Sequence, residues 1–208
     1  MKWLVFALLL VLPLFAWSQR VTIAHKYYTT IFDERKHIPF VVTYTLTSNM
    51  LTCEEKNNRK NNFKADPQLP EETRLANDYK ESGYDRGHNM PAEDNRCDED
   101  GMEECFYYSN MFPQTARLNR GVWKQLETKE RLKAMESDSV VVYIGSYGVA
   151  ATIGPDSVIV PEYCWKVIYA NGEYEAYTFP NSTTVQGAVI NFKTTITDIE
   201  QASGYSFH

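Results

Sequence analysis

The apolar and polar positions divide the chain into short strands, one long helix and a polar connection. Residues 21–30 and 40–47 are rich in β-branched and aromatic side chains and read as strands. Residues 57–70 carry Asn, Lys, Asp and Pro and read as a long loop. Two short aromatic stretches, 84–88 and 105–110, read as strands flanking a site. Residues 119–137 mix charged and apolar side chains without a proline, the pattern of a helix. Further strands are predicted over 139–147, 158–170 and 174–180, while 185–195 is ambiguous. Residues 196–203 read as a short helix stopped by Gly204. This mixture predicts an α+β fold, a central and mostly antiparallel sheet flanked by helices.

The first residues stand outside that pattern. Lys2 precedes an almost wholly apolar run from Trp3 to Phe15, and Ala16-Trp17-Ser18 then offers small residues where a signal peptidase reads. This predicts a signal peptide over residues 1–18 and one domain over 19–208, because no repeat or flexible linker divides the remainder. The run is shorter than the roughly 20 residues of a comfortable membrane span. Cleavage is therefore favoured over an uncleaved anchor, and the mature chain is expected to be secreted or periplasmic, with no membrane association. A chain that is 43% hydrophobic and 23% charged has globular composition, which argues against a disordered protein.

Export suits the cysteines. Cys53, Cys97, Cys105 and Cys164 include no C-x-x-C pair, so disulfides are a better reading than a zinc site. Of the three connectivities, Cys97–Cys105 is favoured because it closes the acidic loop between them, leaving Cys53–Cys164. The alternative is that some stay free and buried. The net charge of −6 becomes one unit more negative when Lys2 leaves with the leader. That argues against tight coating of nucleic acid, but it does not exclude an enzyme with a local cationic site.

Two segments carry candidate chemistry. In Asp85-Arg86-Gly87-His88, an extended backbone puts Arg86 and His88 on one face. An Arg can clamp a phosphate oxygen and a neutral His can take a proton from water, which is what phosphodiester hydrolysis needs. The alternative is a surface histidine beside a structural arginine. In the second segment, a helix opened by Asn119 places Trp123, Glu127 and Arg131 at successive i+4 steps. Asn119 and Glu127 are oxygen donors suited to a hard cation such as Mg²⁺. Gly121 within that helix hints at close approach of another backbone. The alternative here is an amphipathic helix with Asn119 as its N-cap.

Taken together, the segments resemble the DNA/RNA non-specific endonucleases of the ββα-metal (His-Me finger) class. The D-R-G-H motif stands as Asp85–His88, followed by Pro91. Ser109-Asn110, Pro113-Gln114, Leu118-Asn119, Gly121, Trp123 and Leu126-Glu127 match the second motif in order. Arg59…Phe63…Asp66 upstream, and Pro161…Trp165-Lys166-Val167 and Ile199-Glu200…Gly204…Phe207 downstream, extend the likeness over nearly the whole mature chain. Asn89 departs from the pattern, standing where an apolar residue usually follows the histidine. The acidic stretch between Cys97 and Cys105 is an insertion between the two core motifs.

The resemblance implies a ββα-metal catalytic motif acting on DNA and RNA with little sequence preference. His88 would be the general base. Asn119 would be the direct ligand to Mg²⁺, with Mn²⁺ or another divalent cation as substitutes. Glu127 would hold one of the remaining waters. Arg86, Arg131 and Arg59 would contact phosphates, although an exposed Arg131 paired with Glu127 or Glu130 is the bland alternative. Asn110 would organise the site by bonding backbone, Asp85 would anchor the turn, and Trp123 would belong to the core. An inactive exported nucleic-acid-binding module and a phosphodiesterase for small nucleotides are the rival functions. The oligomeric state stays open, a homodimer included.

Overall fold

The structure, a computed structural model, describes residues 20–70 and 77–207. The expected signal peptide lies outside the described residues. Seven antiparallel strands form the central sheet in the order β1-β2-β3-β6-β9-β10-β11. They are β1 (Arg20–Ala24), β2 (Tyr28–Asp33), β3 (Ile38–Thr47), β6 (Ser139–Tyr147), β9 (Tyr163–Ala170), β10 (Glu173–Pro180) and β11 (Lys193–Thr194). Two separate ribbons complete the strands: β4 (Asp85–His88) with β5 (Met111–Gln114), and β7 (Ala151–Ile153) with β8 (Val158–Val160). The helices are α1 (Ser48–Leu51), α2 (Glu99–Glu104), α3 (Ala116–Leu118), α4 (Lys124–Glu136) and α5 (Ile196–Ser203).

Period-two alternation assigns the two faces of the sheet. Val42, Tyr44 and Leu46 of β3, with Val140, Val142 and Ile144 of β6, join Leu126 and Ala134 of α4 in one core. Val41, Trp165, Val167 and Ala176 face the other way and pack with Ile199 of α5 and with Tyr205 and Phe207. Trp123 is fully buried, a core residue as expected. No helix among the described residues is long and apolar enough to cross a membrane.

Several expectations about elements need correction. Residues 21–30 are two strands rather than one. The chain reverses at His25–Tyr27 without Gly or Pro because Lys26 is held from outside, by Asp98 at 2.7 Å and through its backbone N–H to Glu104 at 2.8 Å. The stretch 105–110 is no strand: it turns through a 3-10 segment, Tyr108–Asn110, into β5. Pro113 masked β5 in the sequence, yet a two-stranded ribbon tolerates the missing N–H. Pro161 splits 158–170 into β8 and β9. The ambiguous 185–195 contains a 3-10 turn, Val189–Phe192, and β11.

The long helix starts earlier than expected. Thr115 is its N-cap, accepting from the Leu118 N–H, so Asn119 does not open it. Residues Asn119–Trp123 form a wide turn with non-helical backbone at Gly121, after which α4 continues. Nothing lies within 4 Å of a Cβ placed on Gly121, so this glycine serves the kink and not a close approach.

The disulfide expectation is also overturned. Cys53 pairs with Cys97, while Cys105 and Cys164 are free and buried. Helix α2 stands between Cys97 and Cys105, and six helical residues span about 9 Å, beyond the reach of a disulfide. The Cys105 thiol instead donates to the Met102 carbonyl at 3.2 Å. Burial pushes the Cys164 thiol up to about 12, and the Cys105 thiol higher still.

One buried ion pair fixes α4 to the sheet. Lys166 donates from Nζ to Glu130 at 2.8 Å, both side chains are inaccessible to solvent, and Tyr44 donates to the other carboxylate oxygen. Lys166→Met leaves the Glu130 charge buried without its counter-charge, at a cost of about 3–5 kcal/mol. Urea unfolding of the purified variant measures this loss. Adding Glu130→Gln should restore most of the stability, and a single variant as stable as the parent would refute the account.

Candidate active site

The ribbon β4–β5 carries the first half of the site. Arg86 and His88 project to the same face of β4 and line a cleft of ≈ 790 Å³. Gly87 lies between them because a Cβ there would meet the Gln114 side chain at 2.1 Å, and Gln114 is fully buried and cannot withdraw. The Arg86 guanidinium sits 5.1 Å from the Phe63 ring centre and 5.5 Å from that of Tyr79. The His88 ring is 7% exposed, 5.5 Å from Phe63 and 5.0 Å from Phe106, the latter edge-on. Its Nε2 is buried and has no hydrogen-bond partner among the described residues. Burial foremost, and the Arg59 charge after it, push the imidazole down to about 3; hydrogen bonding to the Arg86 backbone opposes them. His88 is thus a neutral ring with a free nitrogen at any ordinary pH.

The helix entry carries the second half. Asn119 donates from Nδ2 to Asp85 at 2.8 Å, and Arg120 donates to both oxygens of the same carboxylate, at 2.8 and 2.6 Å. Asp85 is therefore a cross-tie from β4 to the helix entry and not the anchor of a turn. Burial alone would raise its carboxyl, but donation by Arg120 and Asn119 holds it below the usual range. With its nitrogen committed to Asp85, the Asn119 amide has its oxygen left for a cation. Glu127, half-buried on α4, lines the same cleft. Burial pushes it up to about 7; Lys166 opposes this and Glu130 adds to it.

Among the described residues no cluster of three or more His, Cys, Asp or Glu could hold a metal. One amide oxygen and one carboxylate on a single wall fit a hard, largely hydrated cation such as Mg²⁺, and do not fit a zinc-type cage.

Arg131 lines the cleft, but its partner is neither Glu127 nor Glu130. It donates to Asp94 at 2.9 Å. Asp94 is 1% exposed and its second oxygen has no hydrogen-bond partner among the described residues. Burial, reinforced by Glu130 and opposed by Arg131, raises its carboxyl to about 8. Arg59 reaches the cleft from the long loop, with its guanidinium 5.4 Å from the Phe106 ring centre and its Nε donating to Asn61 at 2.7 Å.

Asn110 stands apart from the cleft lining. It is fully buried, accepts from the Met90 N–H at 2.9 Å, and donates to the carbonyls of Met90 at 3.0 Å and Cys105 at 2.8 Å. Its contacts are all with backbone, and they brace the chain two residues beyond His88. Asn89, the departure from the family pattern, is buried and donates from Nδ2 to the Asn110 carbonyl at 3.1 Å.

Sequence reasoning passed over Arg120 and Lys124 at the cleft and Asp94 behind it. Their nearness in sequence to Asn119 was the available signal for the two cations, which flank Gly121 at the wide turn. Nothing local announces Asp94, whose partner is 37 residues away. Five cationic side chains (Arg59, Arg86, Arg120, Lys124 and Arg131) line the cleft against three acidic ones, Asp85, Glu93 and Glu127. The site is locally positive in a protein of net charge −6. Arg59, Arg86 and Lys124 have no carboxylate partner among the described residues.

An antiparallel sheet carrying a β4–β5 ribbon and helix, with histidine and asparagine converging on a cationic cleft, defines a nuclease-type architecture. Residues 14–208 match the DNA/RNA non-specific endonuclease family, and the chain belongs to that family. It is 32% identical over 204 residues to the mitochondrial Nuclease 1 of Schizosaccharomyces pombe, a match covering 85% of this chain and 62% of that protein. It is 32% identical over 168 residues to human mitochondrial Endonuclease G, covering 72% of this chain and 57% of that one. The chain thus spans about three-fifths of the length of these relatives. A chain of the solved EndoG/EndoGI complex superposes with a TM-score of 0.84 at 29% identity, over 89% of this chain and 84% of the other. The expected α+β class is the observed one.

Proposed function

We propose that this chain is an exported, metal-dependent endonuclease that hydrolyses phosphodiester bonds of DNA and RNA with little sequence preference. One observation carries the reading: a neutral imidazole and a cation-ready amide oxygen line one cleft with Arg59, Arg86 and Lys124, and among the described residues the imidazole Nε2 has no hydrogen-bond partner and these three cations no carboxylate partner. His88 takes the proton of the attacking water, through the nitrogen that has no partner among the described residues. Asn119 would hold Mg²⁺ directly and Glu127 would hold one of its waters; the ion would supply stabilisation of the negative charge that develops during phosphodiester hydrolysis. Arg59, Arg86 and Lys124 seat phosphates, and Arg131 does so while anchored by Asp94. Phosphate contacts carry no base information, which accounts for the weak sequence preference. The Cys53–Cys97 disulfide supports an oxidising destination, secreted or periplasmic.

The test is digestion of plasmid DNA and of RNA by purified mature protein, with Mg²⁺ or with EDTA. Loss of both polymers only in the presence of metal is the expected result. Polymers that survive in Mg²⁺ and Mn²⁺ overturn the reading in favour of a binding module. Cleavage confined to small diesters overturns it in favour of a nucleotide phosphodiesterase.

A further inference from the structure

A buried carboxylate behind the cleft joins three distant parts of the chain. Asp66 is 1% exposed, accepts from the Ser109 hydroxyl and from the Gln68 N–H at 2.9 Å, and lies 3.0 Å from Nε2 of His25. Serine, aspartate and histidine together invite comparison with a hydrolytic triad, and the geometry rejects it. In a triad the imidazole is the central member. Here the carboxylate is central, and neither the His25 nor the Asp66 side chain meets solvent. Ser109 is likewise fully buried. The group is a clamp.

The clamp leads to His88 by two routes. Ser109 precedes Asn110, whose side chain bonds both the N–H and the carbonyl of Met90, two residues beyond His88. Phe63, three residues before Asp66, is a wall of the His88 pocket and lies beneath Arg86. The segment between is sewn to the strip before Asn110: Lys64 N–H donates to the Phe106 carbonyl at 3.2 Å, and Tyr108 N–H donates to the Lys64 carbonyl at 3.0 Å. On the far side, His25 stacks on Tyr28 with ring centres 4.4 Å apart, which ties the clamp to the sheet.

We infer that Asp66 is a positioning residue for His88, holding through Ser109–Asn110 and through Phe63 the pocket in which the imidazole must sit. The inference rests on the reading of His88 as general base. A carboxylate suits this place because the Ser109 hydroxyl and the Gln68 N–H both donate to it, and an ionised carboxylate, which can only accept, sets His25 Nε2 as the third donor. Those donors outweigh the burial that would otherwise raise the carboxyl, and hold it below its usual value. An isosteric amide turns an N–H₂ toward one of the donors and loosens the clamp without emptying its volume.

The test is Asp66→Asn in the full mature chain, with kinetics on a defined oligonucleotide. The expected result is a fall in kcat of about 10–100-fold, the scale set by small misplacement of a reacting group. KM and the Mg²⁺ concentration for half-activity stay unchanged. In a His88→Ala background Asp66→Asn adds no further loss, because the two act as one unit. A loss that persists in full in that background, or one falling on KM or metal use, overturns the inference. So does a variant that loses thermal stability alone. Ser109→Ala removes a single donor and gives the same kinetic pattern in milder form, which serves if Asp66→Asn does not fold.

NMR of the His88 imidazole gives a readout independent of turnover. In Asp66→Asn the ring gains solvent and titrates closer to the ordinary value of about 6.5. An unaltered His88 resonance overturns the inference even if the parent enzyme is fully active. A parent that cleaves nothing while the resonance moves sinks the nuclease reading and leaves the clamp.

Discussion

His88→Ala lowers kcat on plasmid DNA by about 10²–10⁴-fold, the usual worth of general-base assistance, with the fold and the Mg²⁺ requirement intact. Alanine leaves a small void beside Phe63 and Phe106, so a thermal melt must accompany the assay. Near-normal turnover by a folded variant removes His88 from the mechanism. The parent enzyme adds a second signature. In the free protein the imidazole is pushed down to about 3, so the base form is present at neutral pH and is lost only in strong acid. A bound phosphodiester brings negative charge beside the ring and offsets Arg59, which moves the imidazole back up. The acid limb of kcat, which reports the substrate complex, therefore lies at higher pH than that of kcat/KM, which reports the free enzyme. Coincident limbs would contradict the placement of phosphate beside His88.

Asn119→Ala produces a comparable loss by a different route. Disturbing even an outer partner of a metal ligand typically costs 10–100-fold in affinity or activity, and removal of the ligating oxygen costs at least about that much. The loss appears as a raised Mg²⁺ requirement, with partial recovery at high Mg²⁺ or Mn²⁺. Asp85→Asn produces a weaker version, because it frees the Asn119 amide to rotate. A variant whose Mg²⁺ titration overlays that of the parent shows that Asn119 is not the ligand.

What the sequence disclosed follows from the range of the interactions involved. Arg86 and His88 share a face because side chains two apart in a strand must do so, and that needs no tertiary knowledge. Glu127 and Arg131 fall along one cleft because helical spacing is equally local, whereas Asn119 joins them across the wide turn at Gly121. The failures share the opposite cause. The turn at Lys26 is set by Asp98 and Glu104, more than 70 residues away. The alternative that pairs Arg131 with Glu127 or Glu130 looks only along the helix, whereas its acceptor Asp94 lies in a 3-10 turn, Ala92–Asn95, that the fold brings alongside. Pairing Cys97 with the nearest cysteine along the chain fails because six of the seven intervening residues form α2. Asp85 reads as a turn residue in the sequence because its two partners, Asn119 and Arg120, lie on an element that only folding brings alongside.

The Cys53–Cys97 bond has an energetic consequence. It ties cysteines 44 residues apart. By loop-closure entropy, a ring of that size withholds freedom from the denatured chain worth roughly 4 kcal/mol, against a typical folding margin of about 5–15 kcal/mol. A substantial fraction of the protein's resistance to unfolding is therefore conferred only after the thiols have been oxidised. Three hydrogen bonds between Asn57 and Arg96 run alongside the same link, and they hold in register the strand of loop that presents Arg59 two residues later.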